Sequence, residues 1–149
     1  MIVFDSPDWL IDRIVVGELM VNCYIVQWKA SGEAIVVDPG AEGSRINRRI
    51  EELGAKVTEI VLTHGHGDHI GGIAEVQQAT WAKIAVGRHD AEMLTDAWAN
   101  LSAPFGMDVT APAADRLLDE GDEVAVGEGR LKVLETPGHS SGSIILAGD

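Results

Sequence analysis

The sequence predicts an α/β fold in which strands and helices alternate through the first part of the chain and short antiparallel strands follow. Three observations carry the prediction. Runs of β-branched apolar residues bounded by Gly, Pro, Asp or Ser recur at 13–16, 21–28, 34–37 and 57–63, the length and composition of strands. Apolar residues at helical spacing appear between the third and fourth of these runs. From Asp115 onward the pattern changes to hairpins, with Gly-rich turns separating brief apolar stretches. With 149 residues, 46% of them hydrophobic, the chain can bury one real core but not two comfortable ones, so 1–149 is read as a single domain.

Taken in order, the third run leads into Ser44-Arg-Ile-Asn-Arg-Arg-Ile-Glu-Glu-Leu-Gly54. Ile46, Ile50 and Leu53 share one helical face there, with Ser44 placed to cap the start and Gly54 to end it. The run at 57–63 completes a strand, helix, strand unit. A second helix is expected to open at Gly71-Gly72 and run through 73–78, followed by a short strand at 84–86 and a third helix over 90–100. Pro104, Gly106 and Pro112 mark 101–114 as a connection. Then come a strand at 122–126, a turn at Gly127-Glu128-Gly129, a strand at 131–135, a Pro137-Gly138 break and a last strand at 143–147. Such alternation argues for a sheet covered by helices.

Composition narrows the function classes. A net charge of −13 and a pI near 4.6 argue against nucleic acid or an anionic membrane as partner, because phosphate-binding surfaces are built from clustered Lys and Arg. Arg45, Arg48 and Arg49 are the one close group of cations, with the spacing of a solvated helix face. The opening MIVFDSPDWL has no basic leader and no export-length apolar run, and no later stretch reaches the roughly 18 apolar residues of a membrane span. The expectation is a cytoplasmic protein acting on a small molecule. Cys23, the single cysteine, lies in an apolar run and reads as a buried core side chain.

Five histidines occur in the chain, and three fall within Thr63-His64-Gly65-His66-Gly67-Asp68-His69. They begin at the C-terminal end of a predicted interior strand, where open α/β sheets place their binding crevices. His64 and His66 are two apart, so in extended backbone both imidazoles project to one side. Gly65 and Gly67 are expected to let the backbone turn sharply, so that Asp68 and His69 aim at a neighbouring point. Imidazole nitrogens and a carboxylate are the common ligands of catalytic zinc and non-haem iron. His139 lies in a further Pro/Gly break and Asp149 closes the next predicted strand. His89, beside a predicted helix start, reads as a surface residue.

These segments together resemble the metallo-β-lactamase fold superfamily. Its signature His-x-His-x-Asp-His stands here as His64, His66, Asp68 and His69. Asp38-Pro39-Gly40, the Gly-His-Ser loop around His139 and the late Asp149 follow in the family's order. Asn22-Cys23-Tyr24 and Thr136-Pro-Gly-His-Ser-Ser-Gly-Ser143 are most similar to the glyoxalase II-like branch, the hydroxyacylglutathione hydrolases. The resemblance implies an αβ/βα sandwich and two divalent metal ions, zinc first, with iron or manganese accepted by the same ligands. One ion would be held by His64, His66 and His139, the other by Asp68 and His69, with Asp149 bridging. Family members continue past the Gly-Asp turn with further strands, helices and one more histidine ligand. The sequence is therefore expected to present this sandwich with the C-terminal part of its second half absent, and to self-associate or meet a second chain that covers the apolar edge near 144–146.

For activity the resemblance implies a metallo-hydrolase that uses metal-bound hydroxide on thioesters of the S-acylglutathione type, with Asp68 orienting the nucleophile or moving its proton. The same ligand set also serves lactone and β-lactam hydrolysis and, with one iron, persulfide oxidation. A reading from a different class is a catalytically impaired fragment that binds metal and acts as an assembly partner. Metal stoichiometry and thioester turnover separate the two.

Overall fold

The computed structural model describes residues 1–148. Strands β1 (Ile2–Asp5), β2 (Trp9–Val16), β3 (Val21–Trp28) and β4 (Glu33–Val37) lead into helix α1 (Gly43–Glu52). Next come β5 (Lys56–Leu62), α2 (Ile73–Thr80), β6 (Lys83–Gly87), β7 (Arg116–Leu118), β8 (Glu123–Val126), β9 (Gly129–Glu135) and β10 (Ile144–Ala147). β1 to β7 form one sheet in chain order. Its first four strands pair antiparallel and β4 to β7 pair parallel. β8, β9 and β10 form a second, antiparallel sheet in the order β10-β9-β8.

Three layers result among the described residues: helices, large sheet, small sheet. Alternation along the strands assigns each side chain to a layer. Ala34, Val36, Ile60 and Leu62 pack with Ile46, Ile50, Ile73 and Val76 under the helices. Ile35, Val37 and Val61 pack with Val124, Val126, Leu131, Val133 and Ile144 between the sheets. β4 and β5 are thus buried on both faces, which is why they read as continuous apolar runs in sequence. Cys23 is fully buried, as expected, and burial, with the Asp38 and Asp12 charges nearby, pushes its thiol far above the usual range. No helix among the described residues is long and apolar enough to cross a membrane.

Five local expectations need correction. Ser44 does not cap α1: the helix begins at Gly43 after Glu42 in left-handed backbone, and no side chain caps it. Close packing sets this start, since a Cβ on Gly43 would meet Glu75 of α2 at 2.6 Å. The expected helix over 90–100 is instead a 3-10 segment, Arg88–Leu94, followed by turns. Local side chains compete with helix there: Asp96 accepts from the backbone N–H of Trp98 and Ala99, and the Asn100 amide donates to the carbonyls of Met93 and Val109.

β1 and β7 went unread in sequence. All four β1 residues are exposed, so no burial pattern marks it, and β7 has only three residues, although it extends the parallel sheet. The arginine trio is not a purely solvated face either. Arg49 forms a two-pronged pair with the fully buried Asp12 at 3.0 and 2.8 Å, and Arg45 donates to the Val15 carbonyl at 2.7 Å.

Candidate metal centre

Parallel strands β4, β5 and β6 are neighbours, so the segments leaving their C-terminal ends meet at one edge of the sheet. Asp38 follows β4, the histidine loop follows β5, and Asp90 lies beyond β6. The small sheet adds the loop between β9 and β10, which carries His139, and the Ile144 N–H donates to the Thr63 carbonyl at 2.8 Å. Four sequence segments thereby converge on one place.

Gly65 and Gly67 serve this convergence differently from the expectation. Neither is among the residues with positive φ, so neither makes a turn that only glycine could. They permit close approach: a Cβ on Gly65 would meet the Met93 Cβ at 2.8 Å, and one on Gly67 the Ser102 Cβ at 2.9 Å. The Gly67 N–H donates to the Asn100 carbonyl at 2.9 Å.

Asp38 holds two of the histidines in place, His69 directly and His64 through Thr63. It adopts left-handed backbone at φ 54°, an uncommon state for a side-chain-bearing residue. Its Oδ1 accepts from the Thr63 N–H at 2.8 Å, and its Oδ2 accepts from the Thr63 hydroxyl at 2.5 Å and from His69 Nδ1 at 2.9 Å. A hydroxyl has one proton. Because Thr63 gives it to Asp38, the 3.1 Å contact between Thr63 Oγ1 and His64 Nδ1 places the proton of His64 on Nδ1. A bare lone pair is left on Nε2.

That His64 Nε2 is buried and meets no hydrogen-bond partner. An unpaired buried polar atom costs about 1–3 kcal/mol. Around it the rings of His64, His66 and His139 stand edge to face, with centroids 4.9, 4.7 and 4.5 Å apart. One nitrogen from each lies within 4.8 Å of the others, and His66 Nδ1 is 3.0 Å from His139 Nε2. Two ligands on a tetrahedral zinc with bonds of about 2.0–2.1 Å stand about 3.3 Å apart, so the trio fits a single ion of that kind. Burial, with the neighbouring His69 and against the pull of Asp38, pushes the His64 imidazole down to about 4. Burial and His139 also lower His66. Both are neutral at pH 7, the form that coordinates a metal.

The remaining expected residues fall into place unequally. His69 packs against His64 with ring centroids 3.9 Å apart and the planes tilted by 53°. Burial works against its protonated form, but the Asp38 carboxylate outweighs burial and raises it. His69 Nε2 lies 3.6 Å from Asp68 Oδ2. Asp38, His64 and His69 form a second group with metal-holding geometry. With Nδ1 of His69 bonded to Asp38, its Nε2 faces Asp68, the carboxylate–histidine arrangement that orients metal ligands. Asp149 lies outside the described residues. His89 is exposed, as expected.

Two functional candidates went unread in sequence. In sequence Asp38 shows only as part of the Asp38-Pro39-Gly40 turn; its signal is its place at the C-terminal end of the strand beside β5. Asp90 reads in sequence as the start of a helix, and only the fold reveals its contacts with both histidine loops.

Comparison with known proteins identifies the family and the fold. The sequence profile described as "Metallo-beta-lactamase superfamily" matches residues 16–148. The probable metallo-hydrolase YqgX of Bacillus subtilis is 37% identical over 133 residues, 89% of this chain and 62% of that protein. A hydroxyacylglutathione hydrolase of Rhodospirillum rubrum is 36% identical over 121 residues, 81% of this chain and 40% of that one. The chain therefore spans less than two thirds of either relative. Among solved structures, the BLEG-1 B3 metallo-beta-lactamase superposes with a TM-score of 0.87 at 27% identity, covering 93% of this chain and 66% of that one. TTHA1623, solved in a di-iron-bound form, superposes with a TM-score of 0.78 at 27% identity, covering 92% and 66%.

Proposed function

This chain belongs to the metallo-β-lactamase superfamily, and from that premise we propose that it is a metal-dependent hydrolase of thioesters of the S-acylglutathione type. The observation that carries the metal requirement is the convergence of His64, His66 and His139 around a buried, unpartnered Nε2. The relatives that hydrolyse hydroxyacylglutathione support the substrate class. His64, His66 and His139 would hold one divalent ion; His69 and Asp68, with Asp149, would hold a second. Zinc, iron and manganese all suit such donors.

When bound, a divalent metal supplies Lewis acidity, which brings a water proton within reach of neutral pH and polarises a carbonyl. The chain's own residues do the rest. Asp38 fixes the tautomer of His64 through Thr63, so that its Nε2 is presented as a lone pair, and holds His69 by Nδ1, so that Nε2 is the nitrogen left for a metal. Asp68, whose Oδ2 lies 3.6 Å from His69 Nε2, accepts the proton of the attacking water. The water oxygen bonds to the carbonyl carbon, the carbon–sulfur bond breaks, and the sulfur departs as thiolate. That leaving group is stable enough to need no strong acid from the protein.

Thiol release from S-lactoylglutathione by Zn2+-loaded protein is the test, with a lactone and a β-lactam in parallel. Turnover of the thioester that disappears in Asp68→Ala is expected; turnover of the β-lactam alone would instead favour β-lactam hydrolysis, which the superposition on a B3 metallo-beta-lactamase supports. Self-association belongs to the same proposal. Among the described residues β10 is an edge strand, with Ile145 51% exposed, and light scattering that gives the mass of one chain would count against it.

A further inference from the structure

Asp90 belongs to none of the ligand groups, yet it is completely buried and touches both loops that carry the imidazole trio. Its Oδ2 accepts from the Gly65 N–H at 3.0 Å, between His64 and His66, and from the Ser140 hydroxyl at 2.6 Å, beside His139. Its Oδ1 accepts from the Gly142 N–H at 2.8 Å. The Ser140 oxygen also lies 2.7 Å from Ser143 Oγ, which accepts from the Ser140 N–H at 3.2 Å. Three donors and no acceptor meet this carboxylate, and no Lys, Arg or His pairs with it among the described residues.

Both loops are built to admit it. A Cβ on Gly142 would stand 2.6 Å from the Asp90 backbone nitrogen and 2.7 Å from Oδ1, and one on Gly65 would stand 3.1 Å from the Asp90 carbonyl. An uncharged side chain could fill the same space at lower desolvation cost. What it could not do is accept three hydrogen bonds from two loops while leaving a negative charge behind the three imidazoles.

We propose that Asp90 is a positioning residue that clamps the His64/His66 loop to the His139 loop, preorganising the imidazole trio for one divalent cation, and that its buried charge adds to the site's attraction for that cation. The proposal rests on the reading of the trio as a metal site. Removing an outer partner of this kind typically lowers metal affinity about 10- to 100-fold.

The test is Zn2+ affinity, measured by competition with a chromogenic chelator on metal-stripped protein, well below the melting temperature of each variant. Asp90→Asn should bind about 10- to 100-fold more weakly than wild type. Ser140→Ala loses the 2.6 Å link to Asp90 together with the 2.7 Å contact to Ser143 Oγ, but keeps both backbone donors to the carboxylate, and should bind more weakly by a smaller factor, on the order of 3- to 10-fold. Both should also change the visible absorption of the Co2+ form. Wild-type affinity and an unchanged Co2+ spectrum in the variants, with only the melting temperature lowered, would overturn the proposal and leave Asp90 an ordinary buried carboxylate. Should Asp90→Asn fail to fold, Ser140→Ala decides by the same criteria. Wild-type protein that takes up no Zn2+ overturns the metal reading itself, which distinguishes that failure from failure of the clamp.

Discussion

Asp12, on strand β2, and His64, in the loop that follows β5, are both buried polar side chains, and they are treated in opposite ways. Asp12 is fully answered: Arg49 grips both its oxygens, and the N-terminal ammonium lies 3.1 Å from Oδ1. His64 is answered on one side only, with Nδ1 on Thr63 and Nε2 left without a hydrogen-bond partner beside the other imidazoles. A buried group whose partners are all supplied by the fold stabilises the fold. One that is aligned, neutralised and then left unpartnered is built to receive something from outside.

The sharpest way to break this contrast is to remove one ring from the unanswered site. His66→Ala should lower Zn2+ uptake by at least about 100-fold, since three ligands become two. The urea midpoint of the metal-free protein should barely move. A variant that keeps the wild-type number of Zn2+ ions by elemental analysis, bound with wild-type affinity, would refute the ligand assignment.

The answered site should behave in reverse. Arg49→Ala leaves a buried carboxylate with only the N-terminal ammonium, and breaking such a pair costs about 3 kcal/mol, the low end of its range. Urea unfolding of the metal-free protein reads that loss, while Zn2+ affinity should stay at the wild-type value.

Acid separates the two sites. Burial depresses His64, so the unfolded chain binds its proton first, and stability falls as pH drops from about 6.5 toward the folded value of about 4. For Asp12, burial raises the carboxyl, but Arg49 and the N-terminus outweigh it and hold it below 3.8. Its contribution is complete above the unfolded value and disappears only as pH falls through the depressed folded one. His69 is raised, so its contribution is present below 6.5 and lost as pH rises through its folded value. In metal-free protein, His64→Gln should flatten the decline between pH 6.5 and 4 and leave the steeper loss at lower pH intact. An unchanged profile would disprove the burial argument.

The smallest effect belongs to the exposed pair between Arg88 and Asp119, two-pronged at 2.9 Å but with both side chains about half exposed. Arg88→Ala should leave the urea midpoint within error, because water screens such pairs. A clear loss there would mean that burial is not what separates Asp12 from the surface.

Legibility in the sequence followed the range of each interaction. The histidine loop could be read because its ligands lie within six positions, and the interior strands because burial on both faces leaves continuous apolar runs. Ser44 and the 90–100 segment were misjudged because local propensity yielded to tertiary contacts, the approach of α1 to α2 in one case and side chains bonded away from the helix in the other. Asp38 and Asp90 carry no local mark of their roles. Those roles arise only once three parallel strands lie side by side and bring their ends to one edge.

The trio's origin in two different sheets also has a kinetic meaning. His64 and His66 leave the large sheet and His139 the small one, so the three nitrogens meet only after chain-distant pairing and the docking of one sheet on the other. Contacts of such long sequence separation form late. Metal capture then serves as a clock for the last stage of folding, and the colour that develops when Co2+ is present during refolding should lag the recovery of β-sheet circular dichroism.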